Sequence, residues 1–126
     1  MNEIEENLNS LLAQGRTDEA EALLFSAAES LTSGAGALLD SGDYHGAVDV
    51  ISHAIELMRR HYTANMDFAE LKISLSDIYM LLSSTPPAIR ELSEAVSIME
   101  HELGPDHQSV KDAQTKLLRM KAELDK

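Results

Sequence analysis

The chain contains no cysteine and no tryptophan, and aromatic residues make up only 4% of its 126 residues. Without cysteine it forms no disulfide bonds and has no thiol chemistry, which fits a reducing compartment, so we expect a cytoplasmic protein. The sequence also lacks a run of about 18 consecutive apolar residues, so we expect no membrane-spanning segment. Its first ten residues are acidic and polar, unlike a secretory signal.

Basic residues are scarce in the first half of the chain. Up to Leu57 there are 11 acidic residues and one basic residue, Arg16, whereas the rest holds 11 acidic and 9 basic residues; the net charge is -12. Nucleic acids are bound largely through Lys and Arg, so we expect no nucleic-acid partner. An acidic surface attracts basic peptides or proteins, although solvated helix faces that only keep a protein soluble have the same composition.

Alternating β-branched and aromatic runs are also missing, whereas apolar residues recur with the 3.6-residue period of a helix. The sequence therefore predicts an all-α fold. Seven helices are predicted, at Asn2–Ala13, Thr17–Leu31, Ser33–Leu39, Asp43–Tyr62, Met66–Ser83, Pro87–Leu103 and His107–Leu124. By length the chain forms one domain over residues 1–126, with an acidic N-terminal hairpin at 2–31.

Three stretches repeat one spacing of small and large apolar residues. They read GRTDEAEALLFSAAESL from Gly15, GDYHGAVDVISHAIELMRRHY from Gly42, and SSTPPAIRELSEAVSIMEHEL from Ser83. The repeated positions are Ala20, Leu24, Ala27 and Leu31, then Ala47, Ile51, Ala54 and Met58, then Ala88, Leu92, Ala95 and Met99. Internal repetition of this kind is typical of stacked helical hairpins. The small alanines allow close approach of two helices, and the large residue fills the groove between them.

This pattern of a glycine, an alanine five residues later, a large aliphatic residue and a second alanine resembles the second helix of tetratricopeptide repeats (TPRs). In the last copy we assign Ser84 to the glycine position. The turn Leu103-Gly104-Pro105-Asp106-His107 resembles the long repeats of kinesin light chains and of the C-terminal helical domain of SET-and-MYND methyltransferases. The similarity is clearest over residues 42–120. It implies about three stacked antiparallel hairpins with a capping helix, and a concave groove that binds proteins or peptides.

Patterns typical of catalysis are absent, and we predict that the chain is not an enzyme. No G-x-S-x-G elbow and no phosphate-binding glycine loop with its lysine occurs. His101 and His107 have no second ligand pair at metal-type spacing, so we expect neither a metal site nor a cofactor. The resemblance carries over no methyltransferase activity, because the SET and MYND motifs are missing.

We therefore predict an adaptor or scaffold that binds a basic or amphipathic protein segment. The groove is expected between the odd-numbered predicted helices. Exposed candidates for partner contacts are Glu3, Asn7, Asp40, Asp67, Glu70, Lys72, Ser74 and Asp77. The alternative is a homodimerising or chaperone-like helical protein without catalytic activity, since the exposed helices of a short stack also pair with a second copy.

Overall fold

Six α-helices make up the part of the chain that the structure, a computed structural model, describes: residues 2–61 and 66–125. They are α1 (Asn2–Ala13), α2 (Thr17–Asp40), α3 (Tyr44–His61), α4 (Met66–Leu81), α5 (Thr85–Leu103) and α6 (Gln108–Leu124). No strand occurs within these residues, so the predicted all-α class is confirmed. The end of the fourth predicted helix at Tyr62 lies outside the described residues.

The helices stack in chain order, each packed on its neighbours in sequence. The most extensive contacts join α2 to α3 and α4 to α5; α1 packs on α2, α3 on α4, and α6 on α5. Short turns within the pairs make consecutive helices antiparallel. The architecture is therefore a row of hairpins, α1–α2, α2–α3 and α4–α5, with α6 packed on the last.

Three turns of identical design connect the helices of these hairpins. Each contains one residue with positive φ: Gly15 at 73°, Gly42 at 86° and Ser83 at 58°. The N–H of that residue donates to the carbonyl three positions earlier, and the next N–H donates to the carbonyl five positions earlier, which is the Schellman motif. The residue at the glycine position of the last turn is thus Ser83 rather than Ser84.

The prediction of seven helices is wrong in one place. The predicted helices Thr17–Leu31 and Ser33–Leu39 are a single helix, α2, which runs through Gly34 and Gly36 to Asp40. Two glycines inside a helix cost about 2 kcal/mol relative to alanine, but burial of Ala35 between them favours continuation. The N-terminal hairpin therefore extends beyond residue 31, and α2 serves both the first and the second hairpin.

Replacing Gly34 and Gly36 with alanine is expected to stabilise the protein. A Cβ atom built on either glycine finds no atom within 4 Å, so the substitutions add helix propensity without a clash. The double variant Gly34→Ala/Gly36→Ala should raise the free energy of unfolding by about 1.5–2 kcal/mol. Urea denaturation followed by far-UV circular dichroism measures the change.

The matched control is the same substitution at Gly104. Its φ of 89° and ψ of 151° belong to a region that glycine alone adopts readily, so Gly104→Ala should lower the free energy of unfolding by about 1–3 kcal/mol. A double variant at Gly34 and Gly36 that is less stable than the wild type would contradict a continuous α2.

The repeated small and large apolar residues form the core, as predicted. Eleven of the twelve are buried, and Leu31 is half-buried. The largest cluster joins α1, α2, α3 and α4, and two smaller clusters join α4 to α5 and α6. Each alanine position brings two helix backbones together, and the large residues between them fill the space that remains.

The turn before α6 follows the predicted pattern. Gly104 ends α5, and its N–H donates to the carbonyl of Glu100 at 3.0 Å. His107 precedes α6, and its Nδ1 accepts a hydrogen bond from the N–H of Ser109 at 3.1 Å. His107 is thus a helix cap, which satisfies one of the first free N–H groups of α6.

One helix within residues 2–61 and 66–125, α2, is long and apolar enough by length and composition to cross a membrane, with a mean hydropathy of 1.3. A mostly buried core helix of a globular protein passes the same test. In α2, which packs against α1 and α3, 17% of the apolar window is buried. The expected absence of a membrane contact therefore stays a prediction.

Candidate functional site: an acidic groove between α2 and α4

A groove of about 500 Å³ runs between α2 and α4, with α3 beneath it. Its floor is apolar: Ala28, Met58 and Leu71 are buried, and Phe25 is half-buried. Its remaining lining residues are polar: Glu29 and Thr32 on α2, and Asp67, Glu70 and Ser74 on α4. Carboxylates therefore stand on both walls above an apolar floor.

The carboxylates give the groove a negative potential, because none of its described lining residues is basic. Glu29, Asp67 and Glu70 are all exposed, so they stay hydrated until a ligand arrives. No group of three His, Asp or Glu side chains in the described ranges is arranged to hold a metal ion. The groove thus suits an ammonium or guanidinium group with an apolar neighbour.

Helix periodicity explains why three of the predicted contact residues lie together. Asp67, Glu70 and Ser74 are spaced three and four residues apart, which places them on one face of α4. The sequence predicted this set as exposed, and the structure places all three in the groove, with Ser74 half-buried.

Glu29 was missed by the sequence analysis. It lies 41 residues before Glu70, the same interval that separates Gly42 from Ser83, so the two glutamates hold the same place relative to the turns of hairpins α2–α3 and α4–α5. In the repeat that begins at Gly15, Glu29 aligns with Glu56 instead, so the sequence pattern alone does not pair it with Glu70. The sequence assigned residues 17–31 to the outer helix of the first hairpin. This assignment is wrong for Phe25, Ala28 and Glu29, because the uninterrupted α2 brings them, with Thr32, to the groove.

The other predicted contact residues lie elsewhere. Glu3 and Asn7 are exposed on α1, and Asp40 is exposed at the end of α2. Asp77 is exposed on α4 and forms an ion pair with Lys116 of α6. None of these four lines the groove between α2 and α4.

Lys72 was predicted to be exposed, and this is wrong: it is only 2% exposed. Its Nζ lies 2.9 Å from Oε2 of Glu91, forms a second ion pair with Glu94, and sits 5.2 Å from the centroid of the Phe68 ring. All three donors of the ammonium thus have acidic or aromatic partners. Lys72 joins α4 to α5 rather than offering a charge to a ligand.

A second cleft, of about 390 Å³, lies where α3, α4 and α5 meet. It is lined by Arg59 of α3, Phe68 and Lys72 of α4, and Glu94, Ser97 and Ile98 of α5. Lys72 and Glu94 are already paired with each other, so this cleft offers a ligand fewer free charges than the groove between α2 and α4.

Comparison with known structures agrees with this architecture. No protein-family model matches the chain, and no curated protein matches it significantly. Two crystal structures of the nearly identical TPR-like repeats of a kinesin light chain from Podosopora anserina are similar to it, the second from a single-residue variant. Their TM-scores are 0.64 and 0.63 at 19% and 20% identity, over 94% of this chain.

The fold is that of TPR-like repeats. This confirms the long-repeat resemblance to kinesin light chains at the level of fold. The resemblance to SET-and-MYND methyltransferases stays a prediction. The chain spans 64% of the length of each of those crystallised chains.

Proposed function

We propose that this chain is a protein–protein interaction module whose groove between α2 and α4 binds a basic, amphipathic segment of a partner. The observation that carries the proposal is the pair Glu29 and Glu70, which hold the same place in hairpins α2–α3 and α4–α5 and lie on facing walls above the floor of Met58 and Leu71. A segment with Lys or Arg beside a large apolar side chain satisfies both features at once.

Burial of the apolar side chain supplies affinity, and the carboxylates select the sign of the partner's charge. Covering an aliphatic or aromatic side chain on the floor stabilises the complex by about 1.5–3 kcal/mol. The carboxylates steer a basic segment towards the groove and disfavour an acidic one, because like charges brought together cost several kcal/mol. We propose a binding role rather than a catalytic one.

Charge reversal in the groove tests the proposal. Binding of a fluorescent peptide with alternating Leu and Arg residues is measured by anisotropy, with a second peptide in which Glu replaces each Arg. The variant Glu29→Lys/Glu70→Lys should raise the Kd of the basic peptide by about 30-fold or more, and the wild type should bind the acidic peptide far more weakly. Added salt should weaken the wild-type complex.

The matched control is Asp49→Lys/Asp125→Lys, which makes the same change in net charge at exposed positions near the start of α3 and just after α6. Asp49 lies nine residues before Met58 along α3, about 13 Å at the helical rise of 1.5 Å per residue. The control should leave the Kd within about threefold, because charges more than a Debye length from the groove are largely screened. Equal losses in both double variants would show that only net charge matters and would exclude this groove as the site.

A further inference from the structure

Charge is distributed unequally along the stack of helices. Among the six helices α6 is the one with net positive charge, with four basic and two acidic residues, whereas α1 and α2 together hold eight acidic residues and no basic one. Because α1 packs on α2 and α6 packs on α5, these opposite charges lie at opposite ends of the stack. Molecules with this distribution attract one another end to end.

The basic helix also has an uncovered apolar position. In α4, Ser76 is fully buried, and its hydroxyl donates to the carbonyl of Ala88 of α5 at 2.8 Å. Leu118 lies 42 residues after Ser76, and the same interval separates the starts of α4 and α6, so Leu118 is the residue of α6 that corresponds to Ser76. Leu118 is 67% exposed. The face of α4 that α5 covers thus has an uncovered counterpart on α6.

Two lysines flank this leucine on the same face of α6. Lys111 lies two helical turns before Leu118, Lys121 lies one turn after it, and both are exposed. The surface formed by Lys111, Leu118 and Lys121, here called the basic face, is therefore an apolar centre with a positive border. It calls for a partner surface that carries exposed carboxylates.

The chain itself offers carboxylates at its other end, on α1 and the start of α2. Glu3 and Glu6 are exposed and lie one turn apart on one side of α1, and Asp18 is exposed at the start of α2. We name these three residues the acidic face. Its charge complements that of the basic face.

We propose that copies of this chain associate head to tail, with the basic face of one copy on the acidic face of the next. Such a contact joins two different surfaces, so association continues into rings or open chains instead of stopping at a two-fold dimer. A contact between two single helix surfaces with Leu118 as its one exposed leucine is a small interface, for which we expect a Kd of about 10 µM to 1 mM.

The salt dependence of this association has a maximum. At low ionic strength the net charge of -12 drives copies apart. Near 0.1 M salt the Debye length is about 10 Å, so repulsion between distant charges is screened while pairs in contact still attract. At about 1 M salt the contact pairs weaken as well, and association should fall again.

Complementary charge swaps test the proposal in sedimentation and light-scattering measurements on the 126-residue chain. The tail variant is Lys111→Glu/Lys121→Glu, and the head variant is Glu3→Lys/Glu6→Lys/Asp18→Lys. Each alone should associate at least about tenfold more weakly than the wild type, because like charges then face each other. Their equimolar mixture should associate again, which also shows that both variants are folded.

Controls separate this contact from effects of total charge and of surface leucines. Arg59→Glu/Arg90→Glu makes the same charge change as the tail variant at exposed positions on α3 and α5, and should associate like the wild type. Leu118→Ser should weaken association about tenfold, whereas Leu81→Ser, at a leucine that is 57% exposed on α4, should not.

Three results would each overturn the proposal. The first is a wild-type chain that stays monomeric up to about 1 mM, the upper limit of the expected Kd. The second is a tail variant that associates as well as the wild type, and the third is an equimolar mixture of the two variants that stays monomeric. The groove residues are unchanged in every variant, so peptide binding in the groove is tested separately.

Discussion

Replacing Lys72 with alanine is expected to lower the free energy of unfolding by about 3 kcal/mol, which corresponds to a fall in Tm of about 10 °C. The ammonium of this buried side chain pairs with Glu91 and Glu94 and lies over the Phe68 ring. Its removal takes the cationic partner at 2.9 Å away from the carboxylate of Glu91, whose side chain is only 13% exposed. It also leaves a cavity between α4 and α5, and thermal unfolding followed by circular dichroism measures the sum.

The comparison is with Lys116→Ala. Lys116 forms an ion pair with Asp77, but both side chains are about half exposed, so this substitution should cost less than about 0.5 kcal/mol. Lys72→Met, which keeps most of the apolar stem, should lie between the two alanine variants. Equal losses at Lys72 and Lys116 would show that burial of the first ion pair has no energetic consequence.

Replacing Ala95 with leucine is expected to destabilise the protein by about 3 kcal/mol. Ala95 is completely buried and packs in one cluster with Ala69 of α4, which is also completely buried. A leucine at this position has to push α5 away from α4 or adopt a strained rotamer. Because these two helices form one of the two most extensive pairs, urea denaturation should show a lower midpoint with a similar slope.

A suitable control is Ala122→Leu, the same change at an exposed position of α6. Leucine and alanine both favour helix, so this variant should differ from the wild type by less than about 0.5 kcal/mol. If Ala95→Leu proved as stable as the wild type, the small residues of the repeat would not set the distance between its helices.

The sequence predicted most of the fold because its local and repeated patterns agree. Alanine and large aliphatic residues at fixed spacing marked the buried stripes, as Ala47, Ile51 and Ala54 show, and all three are at most 2% exposed. Turn residues marked the ends of the helices, and Gly15 and Gly42 adopt the positive φ that glycine favours. Such signals depend on neighbours in the chain, which the sequence contains.

The errors arose where packing outweighs local preference. Gly34 and Gly36 predicted a break that α2 does not have. Lys72 was predicted as exposed because lysine is rarely buried without a partner, but α4 packs on both α3 and α5, and Glu91 and Glu94 of α5 supply the partners. Neither outcome follows from one helix considered alone.

One wall of the groove, the one formed by α4, was predictable from the sequence. The spacing of Asp67, Glu70 and Ser74 on one helix face was available from the sequence. Glu29 required knowledge that α2 faces α4 along this part of its length, because α2 is uninterrupted. The apolar floor from Met58 comes from a third helix and is a consequence of tertiary packing.

The uninterrupted α2 has a consequence for how the protein comes apart. In arrays of repeats each unit usually melts with some independence, because only nearest neighbours are in contact. Here α2 belongs to two successive hairpins, so local unfolding of the first hairpin also destabilises the helix that forms one wall of the groove. Loss of the α1 contacts should therefore increase local unfolding around Glu29 and Phe25 before it affects α5. A ligand bound in the groove should in turn slow amide hydrogen exchange at Leu24 and its neighbours.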